Sequence, residues 1–544
     1  MVACRILLLL ILGSLTSVVE AQVNRYIVFF KDKNNSNFSV EAPQSFLSER
    51  AINRRIKNGV AITAQDLPVN ATYVNEVQQT GALTFYTSRW FNALLIQCDA
   101  TQLTSIEALP SVDRVDLVAP GILNSSTAAA SPAYLSARIS STKGTKTASQ
   151  LNMLGLDAMH ELNIRGEGVN VAVFDSGFPG VNTVAPFSHL QDNIKDTYNF
   201  VNRQTNVYRN DDHGTEVLSV MAGFIEGSFS GGAYNADYHL YLTEDVGSEY
   251  RIEEYNWLFA AERADSAGVD VINASLGYNT FDNAAMDYTK LQLDGNTAVV
   301  TRAAQLASDK GIVVVVSAGN EGNNSWQLVT PPADAMGVIA VGSVTSTGTR
   351  SGFSSVGPTS DNRIKPDLSA MGSGTFVVRN TGNTGTTSGT SVSSPLLASL
   401  VTGIIQRYDT LTKDEIIEVL KASASLAESP NNQLGYGIPN FAEVRLKLEI
   451  VAGLEHPEST RFAVYPNPTD SGFVMIETVQ SLRPEPLEIE IWDMKGSLLK
   501  RIDGSTIRND GRLRMDISEL PPGMLQFRIN HAGQSDIFKI INVR

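Results

Sequence analysis

The sequence predicts a doubly wound parallel α/β sheet in the middle of the chain, with a small α+β domain before it and a small β-sandwich after it. At 544 residues the chain is too long for one ordinary domain, so several domains are expected. From 150 to 447, apolar runs alternate with helical patterns. The run 312–316 is apolar at every position, which is typical of a strand with helices over both faces. These patterns indicate parallel strands joined by helical crossovers.

Five apolar runs of the central region are predicted strands of this sheet. They lie at 169–174, 238–242, 269–273, 312–317 and 338–341.

The preceding region, 22–120, has the order β-α-β-β-α-β and predicts a separate α+β domain. Its strand-like and helix-like runs are 25–30, 46–57, 82–86, 91–98, 100–109 and 112–118.

The last region, 463–544, follows a linker at 448–462 and predicts a small β-sandwich, because short alternating runs are separated by Gly, Pro and Asp turns. The runs lie at 487–492, 513–517, 526–529 and 537–541.

The first residues, 1–21, have the features of a signal peptide. Arg5 precedes the apolar run 6–12, and small residues lead to Ala21, so cleavage is expected before Gln22. This run is too short to cross a bilayer, and no later segment reaches about 18 apolar residues, so no transmembrane segment is expected. The signal peptide predicts export.

Composition narrows the class of protein further. The formal net charge of −15 disfavours a nucleic-acid binder, which normally has a basic face. Of the two cysteines, Cys4 lies in the predicted signal peptide, so Cys98 would have no partner for a disulfide.

The segment 121–149 is rich in Ser, Thr, Ala and Lys, and predicts an exposed linker with a processing site.

Three short motifs of the central domain carry chemically active groups. Asp175 follows a buried strand in Val-Phe-Asp-Ser-Gly, at the edge where open α/β sheets bind ligands. His213 lies in Asp-His-Gly-Thr before a helical stretch, and Ser391 lies in Gly-Thr-Ser-Val-Ser-Ser-Pro at the start of an apolar helix. An imidazole can activate a serine hydroxyl, and a carboxylate can orient the imidazole. Asn320, just after the strand at 312–317, can stabilise an oxyanion together with the Ser391 N–H.

These motifs resemble those of the subtilisin-like serine peptidases over 150–447. The resemblance implies that His213 is the general base and then the general acid, Ser391 the nucleophile, Asp175 the orienting carboxylate and Asn320 an oxyanion donor. Family members often carry a second histidine three residues after the catalytic one, where this chain has Glu216.

The same resemblance implies a substrate-binding segment. Ser275, Leu276 and Gly277 match the strand that pairs with the peptide backbone, and Gly247 and Ser248 border the opposing substrate strand. Extended peptide is expected to add beside 275–277 as a further strand.

No metal ligands can be assigned from the sequence. The acidic group Glu244, Asp245, Glu249, Glu253 and Glu254 is interpreted as a solvated loop and helix face, because acids are favoured near helix N-termini. No redox or organic cofactor is required, and the resemblance leaves calcium possible as a structural ion.

The flanking domains have resemblances of their own. Residues 22–120 resemble inhibitory propeptides, which implies a folding template, a latent enzyme and self-cleavage within 121–149. Residues 463–544 resemble the C-terminal sorting domains of type IX secretion, through Tyr465-Pro466-Asn467-Pro468 and the basic, apolar end. That resemblance implies a bacterium of the Bacteroidota, interaction with the secretion machinery, and a secreted or cell-surface location. The alternative is an accessory β-sandwich that binds carbohydrate or protein.

The sequence therefore predicts a secreted serine endopeptidase, made as a zymogen, that hydrolyses proteins or peptides through an acyl-enzyme. Two alternatives stay open: a binding protein that keeps the fold without activity, and a hydrolase of esters or small amides.

Overall fold

A computed structural model describes residues 23–121, 145–452, 461–467, 469, 472–478, 487–493, 497–505, 512–531 and 534–543. The predicted signal peptide at 1–21, most of the predicted linker at 121–149 and part of that at 448–462 lie outside the described residues. The chain divides into two compact units, Met1–Phe441 and Ala442–Arg544.

The N-terminal domain is a four-stranded antiparallel sheet of order β2-β3-β1-β4 with helices. Its elements are β1 (Asn24–Phe30), α1 (Glu49–Lys57), α2 (Ala71–Gln79), β2 (Leu83–Ser88), β3 (Ala93–Cys98), α3 (Ala100–Glu107) and β4 (Val112–Pro120). Helix α2 was not predicted. Its signal is local, since the Asn70 side chain accepts a hydrogen bond from Thr72 N and caps the helix.

Side chains of β1 alternate between two different cores, as the period of a strand requires. Val28 and Phe30 pack with α2 and α3 in the core of the N-terminal domain. Ile27 and Phe29 belong to the core of the central domain, which also contains Trp257. One face of the N-terminal sheet therefore lies against the central domain and is part of its hydrophobic core.

The central domain contains a seven-stranded parallel sheet of order β13-β12-β11-β10-β5-β9-β6. Its strands are β5 (Asn170–Asp175), β6 (Ile194–Asn199), β9 (Asp237–Leu242), β10 (Val271–Ala274), β11 (Val313–Ser317), β12 (Ile339–Val344) and β13 (Leu368–Met371). Short antiparallel pairs are β7 (Phe224–Ile225) with β8 (Phe229–Ser230) and β14 (Thr375–Val378) with β15 (Thr384–Thr387).

Helices surround this sheet. They are α4 (Ala148–Leu154), α5 (Leu156–Glu161), α6 (His213–Ala222), α7 (Ile252–Ala267), α8 (Val299–Asp309), α9 (Thr390–Arg407) and α10 (Lys413–Ala422). A further helix, α11 (Phe441–Ala452), begins at the last residue of the first unit and continues into the second.

The doubly wound parallel sheet is confirmed, and all five predicted strands are present. The two that were not predicted, β6 and β13, are its edge strands. Strand β6 reads Ile-Lys-Asp-Thr-Tyr-Asn and lacks an apolar run, and β13 has only four residues. The strand order reverses between β10 and β5, and ligand sites of open α/β sheets form at such a point, beyond the carboxyl ends of the strands.

The C-terminal unit has two antiparallel sheets, of order β16-β17-β20 and β19-β18-β21-β22. Its strands are β16 (Phe462–Tyr465), β17 (Phe473–Thr478), β18 (Leu487–Asp493), β19 (Leu498–Ser505), β20 (Arg512–Asp516), β21 (Gly523–His531) and β22 (Gln534–Asn542). Both sheets contribute to one core, with Ile476 from the first and Ile489 and Phe527 from the second. The predicted β-sandwich is confirmed. Among the described helices, none is both long and apolar enough to cross a bilayer.

Candidate active site

Asp175 and His213 contact each other at the carboxyl edge of the central sheet. Asp175 is the last residue of β5, is fully buried, and accepts a hydrogen bond from the His213 ring, with 2.8 Å between Oδ1 and Nδ1. Ser176 N donates to the same oxygen at 2.8 Å. Gly214 permits this close approach of helix α6 to the strand, because a Cβ on it would lie 2.3 Å from Gly177 O and 2.9 Å from Asp175 Cβ.

The His213 ring has an electrostatic environment that favours its protonated form. Burial lowers its pKa, but the charge of Asp175 and their hydrogen bond outweigh burial. With smaller contributions from Glu216 and Asp211, they raise the pKa to about 9. The side chain is 23% exposed, so solvent screens part of this effect.

Ser391 is the second residue of α9 and is held to β10 by a short chain of hydrogen bonds. Ser275 Oγ donates to Ser391 O at 2.8 Å, and Asn273 Nδ2 donates to Ser275 Oγ at 3.2 Å. Ser394 Oγ, one turn further along α9, donates to Asn273 Oδ1 at 2.8 Å. Within the described hydrogen bonds, none joins Ser391 to His213. Catalytic contacts of this kind often tighten only when substrate binds.

Asn320 lies close to the start of α9 with its side-chain amide held in one orientation. Its Oδ1 accepts hydrogen bonds from Thr390 N at 2.9 Å and from Thr390 Oγ1 at 3.0 Å. This directs Nδ2, which makes no hydrogen bond within the described part of the chain, away from Thr390. Nδ2 is therefore available as a donor beside Ser391, whose own N–H lies in the unpaired first turn of α9.

Gly389 leaves an open space in front of Ser391. A methyl group at its Cβ position would lie 2.8 Å from Ser391 Oγ, and 3.7 Å from both Asn320 Nδ2 and Ser391 N. This point is close to the nucleophilic oxygen and to both possible oxyanion donors, so a substrate carbonyl group can occupy it.

Replacing Gly389 with alanine should therefore block acylation of Ser391. The backbone φ of Gly389 is 167°, which an alanine can adopt, so the added methyl acts by occupying space. The expected fall in the rate of reaction with a fluorophosphonate is about 100-fold or more, since small displacements at a reacting centre have effects of this size. A matched control is Gly352→Ala, at an exposed glycine without a positive φ, where the added methyl approaches only the exposed Asn323 side chain, at 3.3 Å. Equal labelling rates for wild type and Gly389→Ala would contradict this reading.

The structure places the predicted substrate-binding residues in two loops. Ser275, Leu276 and Gly277 follow β10 directly, but they form no regular strand. Gly247 and Ser248 lie in a turn between β9 and α7, where both backbone N–H groups donate to Asp245. No described hydrogen bond links this turn to the residues around Ser391.

The interpretation of the acidic group as a solvated face is wrong for three of its members. Glu254 is 0%, Glu253 1% and Glu244 9% exposed, whereas Asp245 and Glu249 are half-buried. An acidic residue at the start of a helix is usually solvated, but the first turn of α7 is buried within the domain. Among the described residues, no group of three or more acidic, histidine or cysteine side chains is spaced to hold a metal ion.

Sequence reasoning missed three residues of this site. Thr390 orients Asn320, and its place in the Gly-Thr-Ser motif was a usable signal. Asp211 accepts a hydrogen bond from His213 N at 2.9 Å. Arg379 forms an ion pair with Glu216, and no sequence signal could show this because the two residues are far apart in the chain.

Comparison with known proteins gives matches to all three domains. The model of the subtilase family matches residues 166–437. The model of the peptidase S8 propeptide domain of Bacteroidota matches 25–132, and that of a secretion system C-terminal sorting domain matches 463–543.

Three relatives illustrate the similarity. Subtilisin NAT of Bacillus subtilis subsp. natto is 31% identical over 282 residues, 51% of this chain and 65% of the relative. The subtilisin of Bacillus pumilus is 30% identical over 282 residues, 51% of this chain and 90% of the relative. Serine protease AprX of Bacillus subtilis (strain 168) is 30% identical over 289 residues, 47% of this chain and 61% of the relative.

Proposed function

The chain belongs to the subtilase family, and from this premise we propose that it is a secreted serine endopeptidase, made as a zymogen, that hydrolyses peptide bonds in proteins. The observation that supports this most strongly is the 2.8 Å contact between His213 and Asp175 at the sheet edge where Ser391 and Asn320 also lie.

The proposed reaction uses four groups. His213 takes the proton of Ser391 Oγ as that oxygen attacks the scissile carbonyl carbon, and Asp175 stabilises the imidazolium that forms. The oxyanion of the tetrahedral intermediate accepts hydrogen bonds from Asn320 Nδ2 and Ser391 N. His213 then donates its proton to the leaving amine. A water molecule, deprotonated by the same imidazole, hydrolyses the acyl-enzyme and regenerates Ser391.

The N-terminal domain keeps the enzyme latent in this proposal. It is held to α7 by buried polar contacts as well as by its apolar face. The Glu262 carboxylate accepts hydrogen bonds from Ser88 Oγ, Arg89 N at 2.9 Å and Trp90 N at 3.1 Å. Maturation then requires cleavage of the chain after this domain, and self-cleavage within 121–149 is the proposed route.

The C-terminal sandwich acts as the sorting domain. The match to a secretion system sorting domain supports export of the chain across the outer membrane of a Bacteroidota cell, to a secreted or cell-surface location. The predicted signal peptide at 1–21 would direct the first step of export. Deleting 465–544 should leave the protein in the periplasm, whereas unimpaired export of the truncated chain would contradict this role.

The proposed activity is tested by labelling the processed protein with a fluorophosphonate and mapping the label by mass spectrometry. Label on Ser391, abolished by His213→Ala, is the expected result. The absence of label after removal of the N-terminal domain would favour the alternative of an inactive binding protein. Comparing the hydrolysis of a protein with that of a small ester then separates a peptidase from an esterase.

Self-processing has a separate test. The wild-type chain should be cut within 121–149 during purification, and the Ser391→Ala chain should remain intact. Equal cutting of both chains would show that another peptidase is responsible.

Removal of metal ions should leave the activity in place. None of the four proposed reacting groups, Asp175, His213, Ser391 and Asn320, needs a cofactor, so we expect activity to survive EDTA. A lower Tm in EDTA would reveal a structural calcium ion.

The pH dependence of the activity should reflect the raised pKa of His213. A general base must be neutral, and His213 is neutral only above its pKa, so kcat/KM should rise with pH. The midpoint should lie above 6.5, the ordinary value for histidine, and towards about 9. The measurement is a profile of kcat/KM from pH 5 to 10 with a peptide that does not titrate in this range. A midpoint at or below 6.5 would contradict the electrostatic account.

A further inference from the structure

Glu216 lies one turn after His213 on the same face of α6. Residues three apart in a helix are neighbours, with about 5–6 Å between their Cβ atoms. Glu216 is 5% exposed, so an acidic side chain is buried beside the imidazole. This is the position at which family members often carry a second histidine. The present chain therefore has a different charge next to its proposed general base.

Arg379 pairs with Glu216 from another part of the domain. It directly follows β14, and its Nη1 forms an ion pair with Glu216 Oε1. Its Nη2 donates a hydrogen bond to Thr386 O, in β15, at 3.2 Å. The guanidinium group therefore joins α6 to both strands of the β14–β15 hairpin.

Further hydrogen bonds hold the same hairpin against α6. Val378 N, at the end of β14, donates to Ser219 Oγ at 2.9 Å, and Ser219 Oγ donates to Glu216 O at 2.7 Å. Glu216 also has a hydrogen bond with Thr387, the last residue of β15. The ion pair is therefore one of several polar contacts between the helix and the hairpin.

The β14–β15 hairpin leads directly to the proposed nucleophile. Strand β15 ends at Thr387, and only 388–390 separate it from Ser391. This short segment is itself held, because Gly374 N donates to the hydroxyl of its first residue at 2.9 Å. A shift of the hairpin relative to α6 would therefore change the position of the nucleophile relative to the imidazole. Small displacements of reacting groups can cost about 100-fold in rate.

Carboxyl groups on several elements act on the imidazole. Burial lowers the pKa of His213, whereas the charges of Asp175 at the end of β5, Glu216 on α6 and Asp211 in the preceding loop raise it. The charge of His213 in turn acts on Glu244, which follows β9. A change in the charge of any of these groups would therefore change the proton affinity of the imidazole.

Arg379 also affects the charge of Glu216. Burial raises the pKa of Glu216 above its ordinary value, and the charge of Asp212 adds to this. The charges of Arg379 and His213 and the hydrogen bond with Thr387 act in the opposite direction. Arginine stays protonated in proteins, so it supports the ionised form of the carboxyl group at every working pH.

We propose that the ion pair of Glu216 with Arg379 positions His213 against the hairpin that leads to the nucleophile, and keeps a negative charge beside the imidazole. Both are positioning residues, since they act through His213 and the hairpin and not through a contact with substrate. The negative charge favours the imidazolium that forms when His213 takes the proton of Ser391. This inference rests on the proposed peptidase function.

The first test is the pH profile of kcat/KM for enzyme processed from the full chain, with a peptide that does not titrate. Glu216→Gln removes a negative charge beside His213 and leaves the positive charge of Arg379 unbalanced. Both changes favour the neutral imidazole, so the midpoint should fall by about 0.5 pH unit or more. The double variant Glu216→Gln with Arg379→Gln removes both charges. Its midpoint should lie between those of wild type and the single variant, because the carboxyl group is nearer to the imidazole.

The second test separates kcat from KM at a pH above all the midpoints. In Glu216→Gln, kcat and kcat/KM should fall equally, by about 10-fold or more, while KM stays within about 2-fold, since the pair does not bind substrate. The concentration of active enzyme is measured by titration with a fluorophosphonate. The double variant has no unpaired buried charge and gives the same two tests if Glu216→Gln does not fold.

The matched control is Asp361→Asn, which removes a carboxylate from another ion pair, with 2.7 Å between Asp361 Oδ2 and Arg363 Nε. Within the described contacts, none joins Asp361 to α6 or to the β14–β15 hairpin, so the midpoint and kcat should stay at their wild-type values. An unchanged midpoint, or an unchanged kcat per active enzyme, in both Glu216 variants would overturn this inference and leave the peptidase function in place. Failure of the processed wild-type enzyme to cleave peptides would overturn both.

Discussion

Replacing Asp175 with asparagine should lower kcat at neutral pH by about 10⁴, the size of effect seen when a triad aspartate is changed to its amide. In the structure, Asp175 Oδ1 accepts from both Ser176 N and His213 Nδ1. An amide NH₂ group turned toward the ring would require Nδ1 to accept a hydrogen bond, which moves the ring proton to Nε2. His213 could then no longer take the proton of Ser391.

The matched control is Asp212→Asn. It removes the same charge directly beside His213, but the Asp212 side chain makes no capping hydrogen bond to α6. This variant should lose less than about 10-fold in kcat, because Asp212 is partly solvated and makes no described hydrogen bond to the His213 ring, so its charge contributes little. The measurement is kcat with a peptide substrate, with circular dichroism to confirm the fold. Equal losses of kcat in the two variants would show that the negative charge near His213, and not the hydrogen bond to its ring, accounts for the effect.

Replacing Asp265 with alanine should release the N-terminal domain from the central domain. Asp265 is fully buried in α7 and pairs with three arginines of the N-terminal domain: with Arg54, with Arg55 at 2.8 Å and with Arg89 at 2.5 Å. Burial alone would raise the pKa of Asp265, but the three guanidinium groups lower it below its ordinary value. Without Asp265, buried positive charges would face each other. Breaking such a pair costs about 3–5 kcal/mol, or roughly 10² to 10³-fold or more in the opening equilibrium.

The measurement is amide hydrogen exchange of β3 in the full Ser391→Ala chain, which cannot cleave itself. Protection of the N-terminal domain should fall by about 10² to 10³-fold in Asp265→Ala. The control is Asp116→Ala, whose pair with Arg114 is about half exposed and should contribute no more than about 1 kcal/mol. Unchanged protection in Asp265→Ala would show that the apolar face alone holds the domain.

The fold was largely predictable because its signals are local. The all-apolar run at 312–316 predicted a strand covered on both faces, and β11 is fully buried. The edge strand β6 was not predicted because only one of its six residues, Asn199, is fully buried, and its sequence has no apolar run. Helix α2 escaped because its capping residue, Asn70, was not recognised as a helix start.

The candidate reacting groups were predictable from the sequence, but the side-chain contacts that surround them were not. Asp175, His213, Ser391 and Asn320 follow or begin regular elements whose ends meet at one edge of a parallel sheet, so short motifs were enough to bring them together. The pairing of Glu216 with Arg379 links residues on elements that approach only in the folded domain. No local pattern indicates such a pair.

Chain order and apolar pattern therefore determined the parallel sheet, the order of the domains and the identity of the candidate reacting groups. Only the tertiary structure decided which of the acidic residues are buried and which of those have donors. Asp265 receives its arginines from the N-terminal domain, and Glu254 receives its donors from Tyr288 and Val300, whereas Glu253 Oε2 receives none. The physical reason is that the charge state of a buried carboxyl group depends on donors and cations supplied by distant parts of the chain, and these meet it only after folding.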